Sequence, residues 1–405
     1  MARILLLSQA FVPDPISTGQ HMADVATELR ERGHEVQVFC SRRGVDDPSL
    51  RFPKKEVWEN GVKVRRFAGT SFGKTSIIRR LLGAASFVVQ GIWHGLFMKK
   101  PDLVFVCTSP PLAPLIGIWL NILRRTPVVF WIHDLNPDQL IALGGIKESS
   151  VVVKLFNWMM RSILQRSKRV IVLDEFMAER VERKMDVSEK LSVAPPWPHD
   201  HHMKPIDHAD NDFRKEHGLE NKVVVMYSGN HGLASPVDPL VDAAKQLEDV
   251  KELQFVFIGG GAGKAVIDQA IADGSCNILS LPYQPLDRVS YSLSAADIHV
   301  VIVGDKQVGI VHPCKVYSAL AVSRPILLIG PMPCHATHLI DDHQLGWQVE
   351  HGDVDGLKSV LHTLLEMGAE KRAEMGDKGG QVRRERFSQS LLCGELCEWI
   401  EAGLD

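Results

Sequence analysis

The sequence predicts an α/β protein built from two Rossmann-like parallel-sheet domains. Three observations carry that prediction. Short apolar runs alternate with longer amphipathic stretches along nearly all of the 405 residues. The alternation stops once, at a Pro- and His-rich stretch, and then restarts. The composition, 45% hydrophobic and 23% charged, is that of a globular chain and excludes disordered, collagen-like and low-complexity classes.

The first apolar run is Ile4–Ser8, and the loop after it holds Pro13, Pro15 and Gly19. An amphipathic stretch, Gln20–Arg32, stops at Gly33 and is followed by a second run, Glu35–Cys40. That order is a βαβ unit. Further strands are expected at Val62–Phe67, Leu103–Cys107, Val128–Ile132, Val170–Leu173 and Leu191–Ala194, with helices at Lys74–Lys99 and Val151–Gln165. Buried strands with crossover helices imply a parallel sheet covered on both faces. PPWPHDHHMKP breaks the pattern from Pro195 and reads as a linker.

Strands then resume at Val223–Ser228, Gln254–Ile258, Ile278–Leu281, Ile298–Ile302 and Ile326–Ile329. Helices are expected at Val237–Leu247, Ala262–Ala272, Lys315–Val322, Val354–Leu365 and Phe387–Ala402. The domain expectation is 1–195, a linker at 196–212, a second domain at 213–386, and a final helix at 387–405 that packs back on the first domain. A ligand is expected in a cleft facing the carboxyl ends of both sheets.

Charge is uneven. The first 200 residues carry 28 Lys and Arg against 20 Asp and Glu, and the remainder 18 against 29. Two surfaces with different partners follow from that split. Seven scattered cysteines with no CxxC pair exclude zinc-ribbon and thioredoxin-like motifs and fit a reducing cytosol. MARILLLSQAFVPD has too short an apolar run for a signal peptide. The apolar segment 103–123 contains Pro110, Pro111 and Pro114 and divides into a strand and a helix rather than a span.

Several loops carry candidate chemistry. Gly19 permits close backbone approach before a helix start, which suits a phosphate, although an ordinary βα turn explains it equally. FWIHDLNPD places His133 and Asp134 at the carboxyl end of an apolar strand, where a neutral His donates one hydrogen bond and accepts another. A His bonded to a loop carbonyl is the competing reading. YSGNHG brackets Asn230 and His231 with Gly229 and Gly232 after a strand, an anion-capable loop. VGIVHPCKVYSALAVSRP sets Pro313 and Lys315 in the first turn of a helix, a setting for a diphosphate; a solvated surface lysine is the alternative. FIGGGAGKA is not a P-loop, because Ile258 stands where Gly is needed and Ala265 where Ser or Thr is. His199, Asp200, His201 and His202 lack regular spacing and read as linker rather than metal site. Cys393 and Cys397, one helical turn apart, read as core.

In order and spacing these stretches resemble glycosyltransferase family 4, whose fold is GT-B. The resemblance spans FVPDPISTGQHMADVATELRERGHEVQVFCSRRG, TSPPLAPLIG, FWIHDLNPDQLIALG, SKRVIVLDEFMAERV, VVVMYSGNHGLASPVDPLVDAA, FVFIGGGAG, LPYQPLDRVSYSLSAADIHVV and GWQVEHGDVDGLKSVL. The subgroup most like it assembles capsule, O-antigen and exopolysaccharide. The chain also departs from the family. Ile310 and Ser318 hold the positions of two glutamates eight residues apart, and Ser323 holds that of a glycine. The Arg and Lys that often follow the second domain's first strand are absent, so Asn230 and its neighbours occupy that loop. Pro313, Lys315 and Tyr317 keep the subgroup's Pro-x-Lys-x-Tyr pattern.

The resemblance implies a retaining, metal-independent transfer from a UDP- or GDP-linked sugar, with no other cofactor. With the motifs, it assigns His133 and Lys315 to catalysis. Gly19, Ser228, Gly229, Asn230, Gly309, Val311, Lys315, Tyr317 and Ser318 are assigned to the donor, and Gln20, His21 and Asp134 to the acceptor side. The implied acceptor is a saccharide or a polyprenyl-diphosphate-linked saccharide, with no nucleic-acid partner. Basic pairs at Arg79–Arg80, Lys99–Lys100 and Arg124–Arg125, around the apolar 81–98, suggest a cytoplasmic protein peripheral at the inner face of the plasma membrane. An epimerase on the same scaffold and a non-catalytic nucleotide-sugar-binding protein are the alternatives.

Overall fold

The computed structural model describes residues 1–45, 47–71, 77–198 and 203–404. The chain divides into two units. One comprises 1–196 and 390–405, the other 197–389.

In the first unit the strands are β1 Arg3–Leu7, β2 Glu35–Ser41, β3 Lys55–Trp58, β4 Val62–Phe67, β5 Leu103–Cys107, β6 Val128–Trp131, β7 Ser167–Val172 and β8 Leu191–Val193. They form one sheet in the order β3-β4-β2-β1-β5-β6-β7-β8. All neighbours are parallel except β3 with β4. The strand β3 was not expected. Its sequence, KEVW, is short and charged, as suits an edge strand. The helices are α1 Ser17–Glu31, α2 Ile77–Phe97, α3 Pro114–Arg124, α4 Asp138–Ala142, α5 Val151–Arg166 and α6 Glu175–Lys184. The expected start of α2, at 74–76, lies outside the described residues. Sheet order reverses direction between β1 and β5, and ligands of such sheets gather at the carboxyl ends beside that reversal.

In the second unit the helix α7 Asp212–Glu216 precedes β9 Val223–Asn230. Then come α8 Asp238–Gln246, β10 Leu253–Gly260, α9 Lys264–Ala272, β11 Ile278–Leu281, α10 Val289–Ser294 and β12 Ile298–Ile302. They are followed by α11 Lys315–Ala321, β13 Ile326–Ile329, α12 His335–His343, β14 Gly346–Val349, α13 Val354–Glu366 and α14 Gly368–Arg386. The all-parallel sheet runs β11-β10-β9-β12-β13-β14, and its direction reverses between β9 and β12. One apolar cluster, including Tyr227, Phe255, Phe257 and Leu361, covers one face; another, including Phe213, Met226, Val256 and Leu293, covers the other. Helix α14 went unrecognised because GAEKRAEMGDKGGQVRRER is polar on most sides.

The stretch expected as a linker is, from Met203 onward, part of the second unit. Lys204 N–H donates to Ser290 Oγ at 3.0 Å and Asn211 Nδ2 to Tyr291 O at 2.9 Å. His199 to His202 lie outside the described residues. A buried carboxylate, Asp297, anchors this region. It accepts from Arg214 Nη1 at 3.2 Å and from Val224 N–H at 2.9 Å, and lies 3.2 Å from Arg372 Nε. The last helix, α15 Gln389–Glu401, belongs to the first unit. Its Glu401 pairs with Arg32 at 2.9 Å and with His34 at 2.7 Å, and Cys393 and Cys397 are buried. Among the described residues no helix is long and apolar enough to cross a membrane.

Ser323, where the family has glycine, adopts φ 52°. Helix α14 crosses this turn so closely that a Cβ at Gly376 would stand 2.1 Å from Ser323 O. The turn is therefore held in the left-handed region despite its side chain. Ser323→Gly should raise stability by about 1 kcal/mol, read as a higher midpoint in urea unfolding.

Candidate active site

At the carboxyl end of β9, Gly229 has φ 122°. The Lys315 chain lies across it, so that a Cβ on Gly229 would stand 2.9 Å from Lys315 Cε. The ammonium sits 4.7 Å from the centroid of the Tyr227 ring and donates to Asn230 O at 3.4 Å. Tyr227 Oη donates to the same carbonyl at 3.0 Å. No carboxylate among the described residues pairs with Lys315. A cation–π contact of this kind contributes roughly 0.5–2 kcal/mol and leaves the charge in place. Burial, with Lys315 and Lys264 nearby, pushes His231 down to about 4. His231 is therefore neutral at pH 7 and adds no charge of its own to a positive loop.

The glycine run after β10 braces this loop. His231 N–H donates to Gly260 O and Gly263 N–H to His231 O, both at 2.8 Å. Ser228 is half-buried at the strand end and Asn230 is exposed. Gly309, at φ 67°, opens the approach to α11, with Val311 half-buried beyond it. Ile310 is buried and Ser318 half-buried.

Tyr317 is buried, and its Oη lies 2.8 Å from His312 Nε2 and 3.0 Å from His335 Nε2. The amides of Cys314, Val316 and Tyr317 already donate to His312 O, Pro313 O and Cys314 O. Positive potential at the start of α11 thus comes chiefly from the Lys315 side chain.

In the first unit, Thr108 Oγ1 accepts from His133 N–H at 3.1 Å and from Asp134 N–H at 3.2 Å. That clamp fixes the loop after β6. The half-buried His133 ring packs 4.0 Å from Trp131, centroid to centroid, at 63°. The Trp131 indole in turn meets His21 edge-on at 6.4 Å. His21 is buried and lies 3.3 Å from Ser17 Oγ through Nδ1. Gln20 Nε2 donates to Pro15 O at 2.9 Å. Gly19 N–H donates to Ile16 O at 2.9 Å, and a Cβ there would stand 3.0 Å from Phe11 N, so the chain packs closely at this turn.

Sequence reasoning missed Tyr227, Thr108 and Trp131. Each is a strand-end residue of ordinary type, and nothing in its local pattern marks what it touches. Among the described residues, no group of three or more His, Cys, Asp or Glu is placed to hold a metal.

With this geometry in hand, residues 18–197 match the family described as "Glycosyl transferase 4-like domain". The chain is a glycosyltransferase. It is 22% identical over 402 residues to the probable glycosyltransferase WbjE of Pseudomonas aeruginosa, covering 96% of each chain. It is 26% identical over 339 residues to WcaI of Escherichia coli (strain K12), named for colanic acid biosynthesis glycosyl transfer, covering 79% of this chain and 81% of that one. Its fold matches that of Anabaena Alr3699/HepE, a structure in complex with UDP-glucose, with a TM-score of 0.74 and 16% identity over 99% of this chain and 100% of that one. The transferase has the GT-B fold.

Charge-assisted contacts contribute about 1.5–3 kcal/mol. Lys315→Ala in this transferase should therefore weaken UDP or GDP binding at least tenfold by calorimetry. Gly229→Ala should do the same by displacing the lysine. Unchanged affinity in both variants would remove Lys315 from the donor site.

Proposed function

We propose that the transferase moves a sugar, with retention at the anomeric carbon, from a UDP- or GDP-linked donor to a hydroxyl of a saccharide acceptor in cell-surface polysaccharide assembly. The observation that carries this reading is Lys315, an ammonium without a carboxylate partner among the described residues, laid across a glycine at a strand end. The UDP-glucose bound to Alr3699/HepE and the colanic acid role in WcaI's name support the donor and the pathway class.

In the proposed reaction the bond from the anomeric carbon to the diphosphate oxygen breaks. The acceptor oxygen bonds to the same face of that carbon, and its proton passes to the departing diphosphate. Lys315 stabilises the charge growing on that diphosphate. The donor sits on the second unit and the acceptor on the first. His133, held by Thr108 and Trp131, contacts the donor sugar. The reading assigns no role to a metal or other cofactor. Because His133 touches sugar and not diphosphate, His133→Ala should cut turnover at least a hundredfold and nucleotide affinity less than threefold. Equal losses in steady-state rates and calorimetry would refute that role, and an inverted product by NMR would refute retention.

The reading extends to a polyprenyl-diphosphate-linked acceptor and to peripheral attachment at the inner face of the plasma membrane. Helices α2, α3 and α5 pack side by side, and none contains an Asp or Glu. Their outer surface exposes Val89, Trp93, Phe97, Trp119, Leu123 and Trp158. Arg79, Lys99, Lys100 and Arg125 are exposed near the helix ends. Arg124 is otherwise engaged, donating to Gly95 O at 2.6 Å and Met98 O at 2.9 Å. Exposed aromatics with cations and no acids complement an anionic bilayer. The protein should co-sediment with phosphatidylglycerol-containing vesicles at low salt and less at high salt. Trp93→Ser/Phe97→Ser should release it. Recovery in the supernatant under every condition would end the membrane reading.

A further inference from the structure

A cationic cavity of about 260 Å³ lies in the first unit, lined by Arg42, Lys54, Lys55, Arg65, Arg66 and His94, with Phe67, Ala68 and Gln90. It sits at the carboxyl ends of β2 and β4. The chain leaving β2 is tied there by Arg42 N–H to Phe67 O at 2.9 Å and Phe52 N–H to Arg42 O at 2.9 Å. The antiparallel edge strand adds to it, since Lys55 stands opposite Arg65 in the β3–β4 register. A smaller cavity of about 130 Å³ adjoins it through Arg42 and Ala68 and adds Arg43 and Arg51.

Carboxylates of the fold do not take up these cations, and Arg42 is held by a carbonyl, its Nε donating to Phe52 O at 3.2 Å. Arg66 is the exception: it is buried, pairs with Glu56, and donates to Val12 O at 2.7 Å. Among the described residues, Arg42, Lys54, Lys55 and Arg65 have no carboxylate partner. Arg65 Nη1 instead donates to His94 Nδ1 at 2.7 Å, which requires that nitrogen to be unprotonated. The His94 ring is stacked on Phe67 at 5.4 Å and 13°. Burial, then Arg65, Lys54 and Lys55, lower the His94 pKa, so the ring stays neutral among its cationic neighbours.

We propose that this cavity binds a diphosphate group, and that the group belongs to the acceptor. Four cations without a carboxylate partner among the described residues call for a ligand with several concentrated charges, and forked guanidinium donors match phosphate oxygens better than a single carboxylate does. The assignment to the acceptor rests on the transfer reading above. The cavity shares its sheet edge with His133: β2 and β6 are separated by β1 and β5, three spacings of about 4.8 Å each. A reacting hydroxyl near His133 is thus well removed from a diphosphate in the cavity, as it is when sugar units extend a diphosphate-linked chain. Helix α2 lends Gln90 and His94 to the cavity wall and presents Val89, Trp93 and Phe97 outward, so a diphosphate at a bilayer surface has the cavity beside it.

The test is calorimetric titration of the full chain with inorganic pyrophosphate. Two sites are expected: Lys54→Gln/Lys55→Gln removes one, with at least a tenfold loss, and Lys315→Ala removes the other. Both lysines of the first variant are exposed, and Arg42→Gln provides a second variant should that one fail to fold. A single site abolished by Lys315→Ala alone would overturn the cavity and leave the donor reading standing. A single site abolished by Lys54→Gln/Lys55→Gln alone would uphold the cavity and count against Lys315. Vesicles then identify the source. Recruitment by a polyprenyl diphosphate above charge-matched phosphatidylglycerol, lost in Lys54→Gln/Lys55→Gln, assigns a lipid-linked diphosphate. Pyrophosphate binding without that preference assigns a free diphosphate and overturns the acceptor link.

Discussion

A lysine chain lying across a glycine shapes the carboxyl end of β9 in the second unit. Any side chain at Gly229 would displace Lys315 from the end of β9. In place, its ammonium rests over the Tyr227 ring and against one carbonyl, contacts that position the charge without neutralising it. Beside it, backbone bonds to Gly260 and Gly263 brace the 231 loop, and burial, with Lys315 and Lys264 nearby, keeps His231 neutral.

Charges elsewhere in the fold show the contrast. Asp297 is buried between Arg214 and Arg372, and its remaining capacity is taken by a backbone amide. Removing one member of such a set leaves an uncompensated buried charge, which is why it acts as an anchor. Glu56 does the same for Arg66, and Glu401 for Arg32. Arg66, Arg214 and Arg32 each have a carboxylate partner. Lys315 and the Arg42–Lys55–Arg65 group lack carboxylates among the described residues, and both stand at carboxyl ends of parallel strands.

Parallel strands explain why these groups appear where they do. Helices cover both faces of such a sheet, so apolar side chains fill the faces and polar chemistry is left to the loops at the strand ends. In this chain it puts a clamped histidine after β6 in one unit and, in the other, a lysine at the start of the helix that follows β12, each placed by its own sheet.

The sequence alone determined the two-unit α/β architecture, most strand positions, and the placement of His133 after a strand and Lys315 in the first turn of a helix, because apolar periodicity and strand-end loops are local patterns. It also identified Ser323 as a residue in a glycine's place, and φ there is positive. It could not reveal β3 or α14, whose apolar signals are too weak to stand out, nor the docking of 203–212. Nor could it show that the Tyr317 hydroxyl lies between two histidines or that the chain at Phe11 packs against Gly19. The cationic cavity joins residues 42, 54, 55, 65 and 94, which no spacing rule connects. Only tertiary structure decides such contacts, because strand register and helix packing, rather than neighbouring sequence, determine which charges meet and which remain without a counterion.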